Sequence, residues 1–256
     1  MREIPGKHRS SGPGRTDSPG NPEAAALFAT RWKWPVLPGA GTRAARRAPH
    51  PALRPAEHCA CPDPVCARPG AHPFEPGLLA ATTDARMVAW WWRQRPQAPV
   101  LLATGEGEAP CALSVPAAAG PATLAALDRA GVRLGPVVAG PERWALLVAP
   151  YDLARLGALL HAMDRVPGAL RFHGSGGYLV LPPSRTGAGT TGWARGPLPE
   201  RDDVAARTRQ GVGDGTARTR QGGRGEPARP WLPEVETLLG PIVETLTRPG
   251  VNAPEF

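Results

Sequence analysis

The sequence predicts an α+β fold: a split β-α-β-β-α-β core, a metal-binding insertion ahead of it, and flexible extensions. Three observations predict it. Short apolar runs bounded by turn residues alternate with amphipathic helical stretches from Cys111 onward. Three cysteines and a histidine fall close together, at Cys59, Cys61, Cys66 and His72. The 256 residues include 31 glycines and 33 prolines, a content that demands long irregular segments.

Residues 1–20 are polar and rich in Gly, Pro and Ser, and read as disordered. Asn21-Pro22 reads as an N-cap with proline at the first helical position, opening a short helix through Ala26, Leu27 and Phe28. Residues 34–37 (WPVL) read as a short strand, and residues 39–54 as a basic, proline-bounded loop. Thr82-Thr83-Asp84 is a capping signal for a helix that runs to about Gln94 and is stopped by Pro96. Met87, Val88, Trp91 and Trp92 share one face of it, as core packing requires. Base stacking by an exposed Trp90 is the sharper alternative. Residues 100–103 read as a buried strand.

From Cys111 the alternation is regular. Residues 111–115 are an apolar strand. Pro121 starts a helix through Leu124 and Leu127, ended at Gly131. Residues 137–139 are a strand, 140–143 a turn, and 144–149 another strand. Asp152 caps a helix with Leu153, Leu156, Leu159, Leu160 and Met163 inward. Residues 170–172 and 178–181 are strands around the turn 173–177. The resulting β-α-β-β-α-β order is a ferredoxin-like split.

Residues 199–230 are Gly- and Arg-rich. ARTRQG occurs at 206–211 and again at 217–222. Two copies do not stack into a solenoid, so the segment reads as a low-complexity insertion, with nonspecific nucleic-acid contact by its arginines as the alternative. Pro233 opens an acidic amphipathic helix with Val235, Leu238, Leu239, Ile242 and Val243 apolar, which Gly240-Pro241 should kink or split. The expected organisation is therefore a disordered 1–20, a domain over 21–198 containing a zinc loop at 58–72, an insertion at 199–230, and a C-terminal helix and tail at 231–256.

No apolar run reaches the roughly 18 residues of a membrane span. The first residues lack the apolar centre of a secretory signal, and a cytoplasmic location is expected. The net charge of +8 points toward nucleic acid. Its distribution tempers that: residues 1–50 carry +6, 51–200 only +2, 201–230 carry +3 and 231–256 carry −3. The basic extensions would add salt-sensitive, sequence-independent affinity for DNA.

Clustered thiols in such a chain favour a metal over a disulfide. Three thiolates and an imidazole, from Cys59, Cys61, Cys66 and His72, form a soft tetrahedral set suited to structural Zn²⁺, with His58 a substitute nitrogen ligand.

The segments CACPDPVCARPGAHP (59–73), ATTDARMVAWWW (81–92) and HGSGGYLVLPPS (173–184) carry a resemblance. The chain resembles the N-terminal domain of bifunctional DNA primase/polymerases, of the archaeo-eukaryotic primase superfamily, over roughly residues 22–196. The resemblance implies an RNA-recognition-like core, a zinc loop and nucleotidyl transfer. In that reaction two divalent metals, Mg²⁺ or Mn²⁺, are held by hard carboxylate oxygens.

The same resemblance implies which positions carry the chemistry, and this sequence departs from them. An Asp-x-Asp pair is expected on the first core strand; Ser114 and Pro116 stand there. A histidine is expected to open the strand after the hairpin; Trp144 stands there. A third acid is expected before the GGY element; Arg171 stands there. A lysine of the zinc segment is Ala71. Nearby carboxylates are Glu106, Glu108 and Glu142, on loops.

The reading that follows is a catalytically degenerate primase/polymerase-like protein, a DNA- or nucleotide-binding accessory module in replication. Arg171, His173, Ser184 and Arg185 are its candidate phosphate contacts. The alternatives are an active enzyme with displaced metal ligands, or a zinc-stabilised protein-interaction module. No GxxxxGK[ST] phosphate loop occurs in the sequence, so a helicase is expected only as a separate partner.

Overall fold

The computed structural model describes residues 20–44, 57–198 and 229–248. Expectations for residues 1–19, for most of the Gly/Arg-rich insertion and for the tail after Arg248 lie outside the described residues. The fold is mixed α+β, with antiparallel sheets and five α-helices among the described residues.

Helix α1 (Asn21–Thr30) carries Pro22 in its first turn, where a missing N–H costs no bond. Its N-cap is Gly20, not Asn21. The Asn21 amide instead donates to the carbonyls of Gln97 and Ala98, at 3.3 and 3.0 Å. Strand β1 (Val36–Ala44) continues through the beginning of the expected loop. Gly39 and Gly41, the latter at φ +75°, let it shift register while it pairs along both edges. Strands β2 (Glu57–Cys59) and β3 (Gly70–Pro73) both pair with β1.

Helix α2 (Ala85–Gln94) is capped by Asp84, whose carboxylate accepts from the Met87 N–H at 2.8 Å. Val88, Trp91 and Trp92 are buried, while Met87 and Trp90 are about half exposed, so the buried stripe is narrower than its apolar residues suggest. After it come β4 (Val100–Thr104), β5 (Cys111–Pro116), α3 (Gly120–Arg129), β6 (Val137–Ala139), β7 (Arg143–Val148), α4 (Leu153–His161) and β8 (Arg171–His173). Then follow β9 (Gly177–Leu181), β10 (Arg185–Thr186), β11 (Gly189–Thr190), β12 (Gly192–Arg195) and α5 (Val235–Thr247). On α4 the Asp152 cap sets Leu156 inward but leaves Leu153, expected inside, exposed in the first turn.

Two main sheets result. The first has the order β2-β1-β4-β9, with β3 also on β1; the second has the order β12-β6-β7-β5-β8. Every pair is antiparallel. The chain passes from the second sheet to the first between β8 and β9, which joins β4 with Val100 opposite Leu181 and Thr104 opposite Gly177. Gly105, at φ +69°, allows that crossing: a Cβ there would lie 2.5 Å from the Ser175 nitrogen.

The pleat of β5 divides its neighbours. Cys111, Leu113 and Val115 belong to an apolar core with residues of α3, α4 and α5. Ala112 belongs to the other core, with β4, α1 and α2. Ser114 lies on that same face. Helix α5 is unbroken across Gly240-Pro241. An interior proline costs about 3 kcal/mol, and full burial of Leu238 and Ile242 offsets it. Its approach is fixed by the Ala149 N–H bonding the Pro233 carbonyl at 2.8 Å and by Arg133 lying 4.0 Å from the Trp231 ring.

Candidate metal centre and cleft

The ligand set assembles because β2 and β3 flank the same strand. Cys59 ends β2, Cys61 and Cys66 lie on the following loop, and His72 lies in β3. Their ligand atoms all lie within 4.8 Å of one another. Tetrahedral bonds of about 2.3 Å to sulfur put sulfurs about 3.8 Å apart, so the set fits zinc. The His72 Nδ1 lies 3.0 Å from the Pro73 carbonyl, which places the ring proton there and leaves Nε2, 3.2 Å from the Cys59 sulfur, to bind metal. His58 is exposed and outside the group.

Burial raises the Cys59 thiol, but N–H groups of Cys61 and Gly70, with the side chains of Cys61 and His72, outweigh it and bring it down to about 6. Burial and the neighbouring Cys59 and Cys61 push Cys66 up to about 11. The cluster resists holding three thiolates unless a cation sits among them. Cys111, buried under α4, is not part of it.

The second feature is a cleft between the sheets. Its walls come from the even-numbered face of β5, from β7, β8 and β9, from the β10–β11 hairpin, and from Arg68, Pro69 and Ala71 of the loop that carries the Cys₃His group. Ser114 is at its base. The Arg143 Nε–H donates to Ser114 Oγ at 3.0 Å, and Nη2 donates to the carbonyls of Ser114 and Ala169, each at 2.6 Å. Ser114 Oγ lies 2.9 Å from His173 Nε2. Ser114 Oγ can accept from Arg143 and donate to His173 when the hydroxyl proton points to Nε2 and the ring proton sits on Nδ1.

Burial first, then Arg143, Arg68 and Arg171, lower His173 to about 4. Burial also lowers Arg143, helped by Arg171 and Arg68. The imidazole is therefore neutral near pH 7, and the positive charge of the cleft comes from guanidiniums. Among the described lining residues Glu142 is the one carboxylate, exposed at the lip.

The expected site residues divide accordingly. Ser114 and His173 line the cleft, and Arg171 stands opposite Ser114 in the β5–β8 register. Pro116 shares their face, opposite Arg143. Trp144 does not: it belongs to the helix side, where a Cβ on Gly120 would lie 2.3 Å from its ring. Ser184 is fully buried and its Oγ accepts from the Val100 N–H at 2.7 Å, which makes it a brace for β4 rather than a lining residue. Arg185 lines a different groove, with Arg43 and Arg95. Glu106 accepts from the Ser175 hydroxyl at 3.4 Å and Glu108 pairs with Arg229, both outside the cleft lining.

Sequence reading missed Arg143 and Arg68. The first reads from sequence as part of the 140–143 turn, although starting the strand one residue earlier puts it on Ser114's face by simple alternation. The second was hidden among the metal ligands.

Among the described residues the lining of this cleft does not offer the ligands of two divalent metals. They need convergent carboxylates, and Ser114 is held by a guanidinium instead. No curated protein and no solved structure matches the chain. The family model for bifunctional DNA primase/polymerase, N-terminal, matches residues 25–207, which span both sheets, the Cys₃His cluster and the cleft. On that match the chain belongs to the Prim-Pol family of bifunctional DNA primase/polymerase N-terminal domains.

Proposed function

We propose that this protein binds the phosphates of a nucleotide or of DNA in the cleft between its sheets, without itself transferring nucleotides, as an accessory module in replication. One observation carries the reading: Arg143 binds Ser114 from both side chain and backbone, where the family's chemistry needs a carboxylate. Guanidiniums recognise phosphate oxygens and repel Mg²⁺. We also infer that the β5-α3-β6-β7-α4-β8 unit is a ferredoxin-like core, which its strand neighbours β6-β7-β5-β8 support. The Cys₃His set would hold a structural zinc.

The test is primer extension in Mg²⁺ and separately in Mn²⁺, beside binding of a labelled nucleoside triphosphate. Binding weakened about tenfold or more by Arg143→Ala, with no incorporation, is expected. Template-dependent incorporation abolished by Glu106→Ala/Glu108→Ala, or by Glu142→Ala, would make the protein an active polymerase with displaced ligands. Folded protein with neither binding nor incorporation would favour a protein-interaction module.

A further inference from the structure

The zinc loop forms part of the cleft wall. Arg68 lies between the ligands Cys66 and His72 and reaches the cleft beside Ser114, Arg143 and His173. Its turn is tight. The Ala71 N–H bonds the Arg68 carbonyl at 3.0 Å, and Gly70, at φ +78°, donates its N–H to the Cys59 sulfur at 3.2 Å. A Cβ at Gly70 would press within 3.1 Å of the Gly41 carbonyl carbon, so only glycine fits where the turn passes β1. On the cleft side, the Pro69 carbonyl accepts from the Gly187 N–H at 2.8 Å, tying the turn to the β10–β11 hairpin.

The segment is thus held by the four-ligand cluster, by the pairing of β3 with β1 from Gly70 onward, and on the cleft side by the Pro69–Gly187 bond. No carboxylate pairs with Arg68 among the described residues. Its charge is instead felt by Arg143 and His173. Two guanidiniums that face one cleft without a counter-ion repel each other, and an anion between them relieves that repulsion.

We propose that metal binding at the Cys₃His cluster and anion binding in the cleft are positively linked, with Arg68 as the residue that joins them. This rests on the phosphate-binding reading above. Without a cation the cross-link between Cys59, Cys61, Cys66 and His72 is lost, the 66–69 turn loosens, and Arg68 leaves its place in the wall. By reciprocity, an anion that grips Arg68 holds the turn closed around the metal. Ala71 lines the same wall and brings no charge, so the loop contributes its cation through Arg68.

The experiment uses the full chain loaded with zinc. A fluorescent nucleoside triphosphate, without added divalent cation, is titrated into wild type, Arg68→Ala, Arg68→Lys and Arg143→Ala. Zinc release to a chromogenic chelator is timed with and without saturating nucleotide. Linkage predicts binding weakened about five- to tenfold in Arg68→Ala and partly restored in Arg68→Lys. It also predicts that nucleotide slows zinc release by a similar factor in wild type but not in Arg68→Ala. A nucleotide that merely chelated zinc would speed release, the opposite sign. Tight binding that needs Arg143 but ignores Arg68, with release unchanged by nucleotide, overturns the linkage and leaves phosphate binding standing. No binding by the folded, loaded wild type removes the phosphate-binding reading and the linkage with it.

Discussion

Arg143 and Ser114 are joined by two hydrogen bonds: the guanidinium Nε–H meets the serine hydroxyl at 3.0 Å, and Nη2 meets the same residue's carbonyl at 2.6 Å. The arginine therefore occupies the space a metal would need beside this strand. Ser114→Asp/Pro116→Asp would put carboxylates at the family's positions, but the first would pair with Arg143 and the second would face it across the strands. The double variant is expected to show no template-dependent incorporation in Mg²⁺ or Mn²⁺. Adding Arg143→Ala removes the competing cation and is the one combination in which weak activity should emerge. Primer extension on wild type and both variants checks this.

Arg143→Ala also removes a hydrogen-bond donor from two backbone carbonyls, those of Ser114 and Ala169. Leaving a part-buried acceptor unpaired costs about 1–3 kcal/mol. Urea unfolding of zinc-loaded Arg143→Ala should show a loss in that range, with an unchanged denaturant slope.

Zinc content separates ligands from bystanders. Wild type should hold one zinc per chain. Cys66→Ser should lower zinc affinity by more than the roughly 10–100-fold that outer-shell changes cost. Cys111→Ala should keep full stoichiometry, because Cys111 lies in the core beneath α4 and outside the cluster. Elemental analysis of the purified variants decides it.

His173 makes stability fall in acid. Its folded pKa, about 4, lies below the usual 6.5, so the unfolded chain binds its proton first. Stability from the neutral imidazole is complete above about pH 6.5 and is lost as pH falls toward 4. His173→Gln should flatten that part of the curve. The difference in melting temperature between pH 7 and pH 5 should be smaller in the variant than in wild type, both zinc-loaded.

Much of this was legible before the fold was known. The Asp84 and Asp152 caps, the strand at 137–139 and the cysteine-histidine set follow from short-range chemistry, and each lies where the sequence puts it. What escaped depended on distant partners. Asn21 bonds residues 97–98 instead of capping its helix. Ser184 is consumed by Val100. Trp144 faces the helices because the strand register, not its own identity, sets its side. The cleft's basic character depends on Arg68 and Arg143 meeting across 75 residues of sequence, which no local pattern encodes.

Helix α5 should be essential. Leu238→Ala or Ile242→Ala removes a fully buried side chain from the core under the second sheet and should cost about 2–5 kcal/mol. Surface changes on the same helix, such as Glu244→Ala beside Arg248, should cost under about 0.5 kcal/mol. Denaturant titration distinguishes them.

That helix begins at Val235, beyond the residues the family match covers, yet it fills one side of the core beneath β5 and β7. During synthesis the β5-α3-β6-β7-α4-β8 unit leaves the ribosome with α3 and α4 available to this apolar face but the part that α5 covers still bare. It stays bare until residues up to about 247 have emerged. At about 5–20 residues per second, that is an interval of several seconds in which the part of the core that α5 covers lies open to water.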